Sequence, residues 1–170
     1  MDIIVKPFKK HKQLKKTFLK LINEIPKSTE ESIYNTDWYL PRDYTRKYLD
    51  LFYENISEHM QSLAEDFNCH RWEITNGWFQ QYKKGSEHDW HNHAGHQLAN
   101  VYYLELPDVS AKTELLNKKT PKISEGDILT FPAYIPHRSA INKTNKRKTV
   151  IAFNSNLLHG LLYHGEDTTT

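Results

Sequence analysis

The chain has 170 residues, 38% of them hydrophobic and 12% aromatic, and carries a net charge of +2. These values fit one folded domain and exclude an intrinsically disordered chain, and the small net charge calls for no nucleic-acid partner. A single cysteine, Cys69, excludes an internal disulfide framework. Together with the absence of a secretory h-region, it points to a soluble protein of the reducing cytoplasm. No stretch approaches the roughly 20 apolar residues needed to span a bilayer, so no membrane partner is expected.

The lysine-rich start, KPFKKHKQLKK, reads as the solvated face of a helix. From Lys9 to Glu24 the apolar residues Leu14, Phe18, Leu21 and Ile22 fall on one helical stripe, and Pro26 ends it. A loop is expected over 28–42, with Asn35, Asp37 and Pro41 as turn residues. A second, longer helix is expected from about Asp43 to Asp66, its buried face marked by Tyr48, Phe52, Ile56, Met60, Leu63 and Phe67. Cys69 reads as a small core residue.

After Cys69 the period changes. Trp72, Ile74, Trp78, Gln80 and Tyr82 are spaced as on one buried face of a strand. Strand-like runs then recur as VYYLEL, KTELL, DILTFP and KTVIAFN, divided by turn material such as Lys84-Gly85 and Glu125-Gly126-Asp127. Short strands without crossover helices predict an antiparallel sandwich or barrel. The fold class is thus mainly β with N-terminal helices. We expect a single domain, with helical support over 1–68 and a β core over 69–164. The tail GEDTTT is expected to fray.

The chemistry sits in that β part. SEHDWHNHAGH holds His91 and His93, two residues apart, and side chains at i and i+2 of a strand share a face. The pair can grip one metal ion. A third imidazole, His137, arrives in GDILTFPAYIPHRS, where a Gly-Asp turn feeds an apolar strand. Three protein ligands leave coordination positions open, as in a catalytic site. An H-x-H pair also occurs in solvated loops, but the flanking strand signals favour the metal. His11, His59, His159 and His164 read as surface or tail residues.

From Tyr82 to Asn154 the pieces QQYKKG, WHNHAGH, VYYLELP, EGDILTFPAYIPHRS and RKTVIAFN resemble, in that order, the iron(II)- and 2-oxoglutarate-dependent dioxygenases. The match is best to their compact bacterial and phage branch near the prolyl hydroxylases. The resemblance implies a double-stranded β-helix, or jelly roll. It implies Fe(II) as cofactor and 2-oxoglutarate and O2 as co-substrates, with C–H hydroxylation and release of succinate and CO2. It implies His91, His93 and His137 as metal ligands, although the family more often has Asp or Glu where His93 stands. Asp89, two residues before His91, is the alternative carboxylate ligand or a hydrogen-bond partner to one, and His96 is a spare. Arg147, ten residues beyond His137, is the expected anchor for the far carboxylate of 2-oxoglutarate; Lys148 faces the other way, and the strand register decides between them. Tyr103 and Tyr82 are the expected pocket tyrosines.

A cupin is the alternative. Gly85, His91, His93 and Gln97 approximate the first cupin motif, and Gly126, Pro132, His137 and Asn142 the second. Such a protein could be a three-histidine, 2-oxoglutarate-independent dioxygenase, an isomerase or a ligand-binding module. The substrate class stays open between small molecules and peptidyl groups, with Trp78, Trp90 and Tyr134 as candidates for the substrate mouth.

Overall fold

Helix α1 (His11–Asn23) forms where the apolar stripe predicts it, with Phe18 and Ile22 fully buried. The computed structural model describes residues 2–28 and 32–158. The GEDTTT tail, His159, His164 and the last residues of the expected β core lie outside that range. The second expected helix is two, α2 (Lys47–Asn55) and α3 (Ser57–Asp66), meeting at Ile56. Burial of Ile56, Met60 and Leu63 in the same cluster as Phe52 keeps both helices on the sheet. No helix among the described residues is long and apolar enough to cross a membrane.

The strands are β1 (Ile4–Pro7), β2 (Asn35–Thr36), β3 (Arg71–Tyr82), β4 (His88–His91), β5 (Leu98–Glu105), β6 (Thr113–Leu115), β7 (Asp127–Pro132), β8 (His137–Ser139) and β9 (Lys148–Leu158). They build two antiparallel sheets. The larger has the order β1-β7-β5-β9-β3-β2 and the smaller β4-β8-β6. Together they form the expected jelly roll, with the helices packed on the outer face of the larger sheet.

Period-2 alternation divides the core in two. On β5, Leu98, Tyr102 and Leu104 face the helices, while Ala99, Val101 and Tyr103 face the interior between the sheets. Phe8, Phe18, Phe52, Tyr102 and Phe153 form an aromatic cluster that ties α1 and α2 to the sheet. Aromatic pairs of this kind add about 0.5–1.5 kcal/mol each beyond simple burial.

One expectation for β3 fails, and the reason is local. The register with β9 jumps between Ile74 and Asn76, leaving Thr75 as an extra residue. A bulge of this type exchanges the faces of a strand. Trp72 and Ile74 therefore pack on the helical cluster, whereas Trp78, Gln80 and Tyr82 line the interior cavity. The bulge aims the second half of β3 at the site. Of the histidines read as surface residues, His11 is half-buried and His59 buried. The His11 ring hydrogen-bonds the Tyr102 hydroxyl at 2.7 Å, and His59 is buried in α3.

Candidate metal centre

Strands β4 and β8 pair antiparallel with His91 directly opposite His137. Their ring centroids lie 4.2 Å apart. His93 stands just past the end of β4, its backbone N–H bonded to the Ala133 carbonyl at 3.0 Å. That bond keeps the pair on one face beyond the strand itself. The three imidazoles each offer a ligand nitrogen, all within 4.8 Å of one another.

The outer nitrogens are held by three separate acceptors. Nδ1 of His91 donates to the Asp89 carbonyl at 2.7 Å, and Nδ1 of His137 to the Ile135 carbonyl at 3.1 Å. Nδ1 of His93 donates to Asn154 Oδ1 at 2.6 Å, and the Asn154 amide in turn donates to Asn76 Oδ1 at 2.8 Å. Each bond puts the proton on Nδ1 and the lone pair on Nε2, the arrangement expected of metal-ligating histidines. Burial first, then the neighbouring imidazoles, lower the His93 pKa to about 4 and the His137 pKa to about 3. Both rings are neutral at pH 7 and fit a divalent transition metal.

Asp89 reaches this cluster only through its backbone. Its carboxylate bonds the Trp90 N–H at 2.7 Å instead. His96 bonds Thr75 Oγ1 at 2.9 Å and is not one of the three clustered histidines. His88 was not singled out by spacing. It stacks on His91 with centroids 4.0 Å apart, and its Nδ1 accepts from Gln80, whose carbonyl accepts from the Tyr82 hydroxyl.

The expectation for Arg147 is corrected. Its guanidinium pairs with Glu105 at 2.9 Å on the helix-facing side of β9, where Thr149 meets the same carboxylate. Lys148, Val150 and Ala152 take the opposite parity and line the cavity beside His91, His93 and His137. Lys148 is 1% exposed. Its ammonium donates to the Ala111 carbonyl and Ser139 Oγ, both at 2.6 Å, and lies 4.6 Å from the Tyr82 ring centre. Burial lowers its pKa to about 7. The space between Lys148 and the histidines is narrow, about 30 Å³. Tyr82 lines that space. Tyr103 is buried behind it with its hydroxyl bonded to Thr113 Oγ1 at 2.8 Å. The parity of β9 is the signal that could have separated Lys148 from Arg147, had the strand register been known.

On the other side of the histidines opens a cleft of about 330 Å³. Trp78 lines it as expected. Trp90 instead lies under Arg138, and Tyr134 projects outward at 71% exposure. No sequence signal marked Trp38 and Tyr39, which form the cleft's outer wall.

A jelly roll with three clustered histidines between its sheets has the fold of several solved structures. An oxidoreductase of the 2OG-Fe(II) oxygenase family from Burkholderia pseudomallei superposes with a TM-score of 0.70 at 12% identity, covering 91% of this chain and 84% of that one. The fold is that of the 2OG-Fe(II) oxygenases. A viral collagen prolyl hydroxylase from Paramecium Bursaria Chlorella virus-1, in its 2OG complex, matches this oxygenase fold with a TM-score of 0.61 at 14% identity, covering 92% and 96%. A Trichoplax adhaerens prolyl hydroxylase, solved with a hypoxia inducible factor peptide fragment, matches with a TM-score of 0.59 at 14% identity, covering 89% and 82%. No family model and no curated protein sequence matches the chain.

Proposed function

We propose that this protein is an Fe(II)- and 2-oxoglutarate-dependent dioxygenase that hydroxylates a C–H bond. His91, His93 and His137 would hold the iron through Nε2, their rings fixed by Asp89 O, Asn154 and Ile135 O. The bound iron supplies O2 activation coupled to decarboxylation of 2-oxoglutarate, giving succinate and CO2. The chain's own residues bind and orient. Lys148 is the anchor for the far carboxylate of the co-substrate, which would replace the contacts now made to Ala111 O and Ser139 Oγ. Burial of Lys148 excludes water there and strengthens a charge-assisted hydrogen bond. Tyr82 lies against the ammonium and steadies it by a cation–π contact. Tyr103, tied to Thr113, backs the pocket rather than offering its hydroxyl to it.

The observation that carries this reading is a buried cation facing the same cavity as the three histidines. Such a cation matches the far carboxylate of a dicarboxylate chelated at the histidines. The cupin reading draws on the donor set, which lacks a carboxylate. It loses support at Gln97, which a cupin would aim at the metal. Its side-chain carbonyl accepts from the Leu157 N–H instead.

The test is succinate formation by the protein supplied with Fe(II), 2-oxoglutarate and O2. Slow turnover without a prime substrate is expected, and His137→Ala should lose both turnover and stoichiometric iron. Iron-loaded protein that makes no succinate would leave the cupin reading in place.

A further inference from the structure

The cleft outside the histidines has an unusual wall. Trp38 and Tyr39, exposed at 52% and 57%, stand at its rim, and the Trp38 indole meets Trp78 edge-on with centroids 4.6 Å apart. Large aromatic residues left at the surface beside a reactive centre mark a binding face rather than a packing remnant.

This wall is held by one arginine. Every N–H of Arg46 is placed. Nε bonds Asp37 Oδ2 at 3.0 Å, and the two terminal nitrogens bond the carbonyls of Asp37, Leu40, Pro41 and Tyr44 at 3.0–3.1 Å. Asp37 is fully buried and also accepts from the Phe79 N–H and the Tyr48 hydroxyl. The segment 37–46 is thereby fastened to β3 and α2. Trp38 is presented to the cleft on a rigid mount, which lowers the entropy cost of binding.

The polar lining is made of amides and imidazoles. Asn76, Gln80 and Asn92 lie along the cleft with His88 and His96, and among the described residues no Asp, Glu, Lys or Arg lines it. Taking a charged group out of water without a counter-charge is costly, while amide partners suit neutral donors and acceptors. The cleft volume of about 330 Å³ accepts a group well above the size of a single side chain.

We propose that this cleft is the substrate subsite and selects an uncharged group with a flat face and an amide-like donor and acceptor, with Trp38 as its specificity-determining wall. This rests on the oxygenase reading for the chemistry that follows binding. It sorts candidate substrates by charge at the reacting group. Free amino acids, with ammonium and carboxylate beside the reacting carbon, are rejected, as are phosphorylated nucleotides. Internally blocked residues and neutral heterocycles are accepted.

The experiment uses three monosubstituted benzene probes of similar size. N-methylbenzamide, benzoate and benzylammonium are titrated into the full chain with Zn(II) and 2-oxoglutarate present. Binding is read from the indole N–H signals of the 15N-labelled protein. Trp38→Phe assigns the Trp38 signal. N-methylbenzamide should shift the Trp38 and Trp78 signals and bind at least tenfold more tightly than either charged probe. Trp38→Ala should weaken that binding while leaving the other indole signals in their folded positions. Equal or tighter binding of benzoate or benzylammonium, or no shift with any probe, overturns the proposal. The signals report the cleft directly, so they remain readable if succinate assays fail. Succinate formation with no preference for the amide probe isolates the failure to the substrate subsite.

Discussion

At the scale of single residues the three-histidine cluster was legible, and the side of the sheet taken by Arg147 and Lys148 was not. His91, His93 and His137 are readable because spacing of two on a strand and a strand-feeding turn are local properties. Whether Arg147 or Lys148 faces the cavity depends on where β9 begins, and that is set by its pairing with β3 and β5. Tyr82 opposes Lys148 across the ladder, so the two side chains share a face. Lys148→Met removes the cation but keeps the apolar stem's volume. It should leave the fold intact, because replacing a desolvated charge by an apolar chain is often neutral or stabilising. The 2-oxoglutarate concentration for half-saturation should rise by more than tenfold, corresponding to a lost charged partner worth about 2–5 kcal/mol. Titration of iron-loaded variant and parent by succinate release checks this. Arg147→Ala should cost only the partly exposed contacts to Glu105 and Asn23, about 0–1 kcal/mol in stability, with unchanged co-substrate affinity. The reverse pattern would return the anchor to Arg147.

At the scale of elements, helix α1 and the strands β5, β7 and β9 follow from hydrophobic period alone. Three features did not. β1 is a four-residue edge strand holding Lys6 and Pro7, and its place beside β7 comes from long-range pairing. The break at Ile56 interrupts a helix whose apolar stripe continues across it. The bulge at Thr75 carries no local mark, because the apolar residues on both sides keep an even spacing while changing faces. The turn before β7 is the reverse case. Gly126 adopts φ +94°, and a Cβ there would stand 3.0 Å from the His11 ring. Its N–H bonds Tyr103 O, and its carbonyl accepts from Phe8, joining the turn to the chain between β1 and α1. Gly126→Ala should therefore destabilise the protein by about 1–2 kcal/mol through the left-handed backbone, with more from displacement of the ring. Chemical denaturation of the two proteins measures the difference. A change within 0.5 kcal/mol would contradict the strain expected at that turn.

For the whole molecule, the order of helices before strands gave the layered architecture, and composition excluded disorder. Which strands leave the larger sheet to form β4-β8-β6 was not legible, since it depends on pairings far apart in the chain. Buried histidines make the fold acid-sensitive. Burial above all lowers the pKa of His59, His88 and His93 to about 4 and of His137 to about 3. The unfolded chain binds protons near 6.5, so it holds more protons than the folded chain between that value and the folded pKa values. Stability should then rise with pH from about 4 to 6.5 and level off above. His59 tests this away from the metal, because it is buried in α3 and its Nε2 has no hydrogen-bond partner. His59→Leu should flatten part of the slope and stabilise the protein at pH 5, measured by urea unfolding across pH. An unchanged slope would remove His59 from the account. The central claim, that three histidines and Lys148 assemble an iron site for 2-oxoglutarate, is tested most directly by anaerobic absorption spectroscopy. Adding 2-oxoglutarate to the Fe(II)-loaded protein should produce the weak visible charge-transfer band of a chelated keto acid, saturating at one equivalent per chain. In Lys148→Met the band should appear only at much higher concentration. Protein that holds one iron per chain and gives no band at any 2-oxoglutarate concentration would contradict the claim.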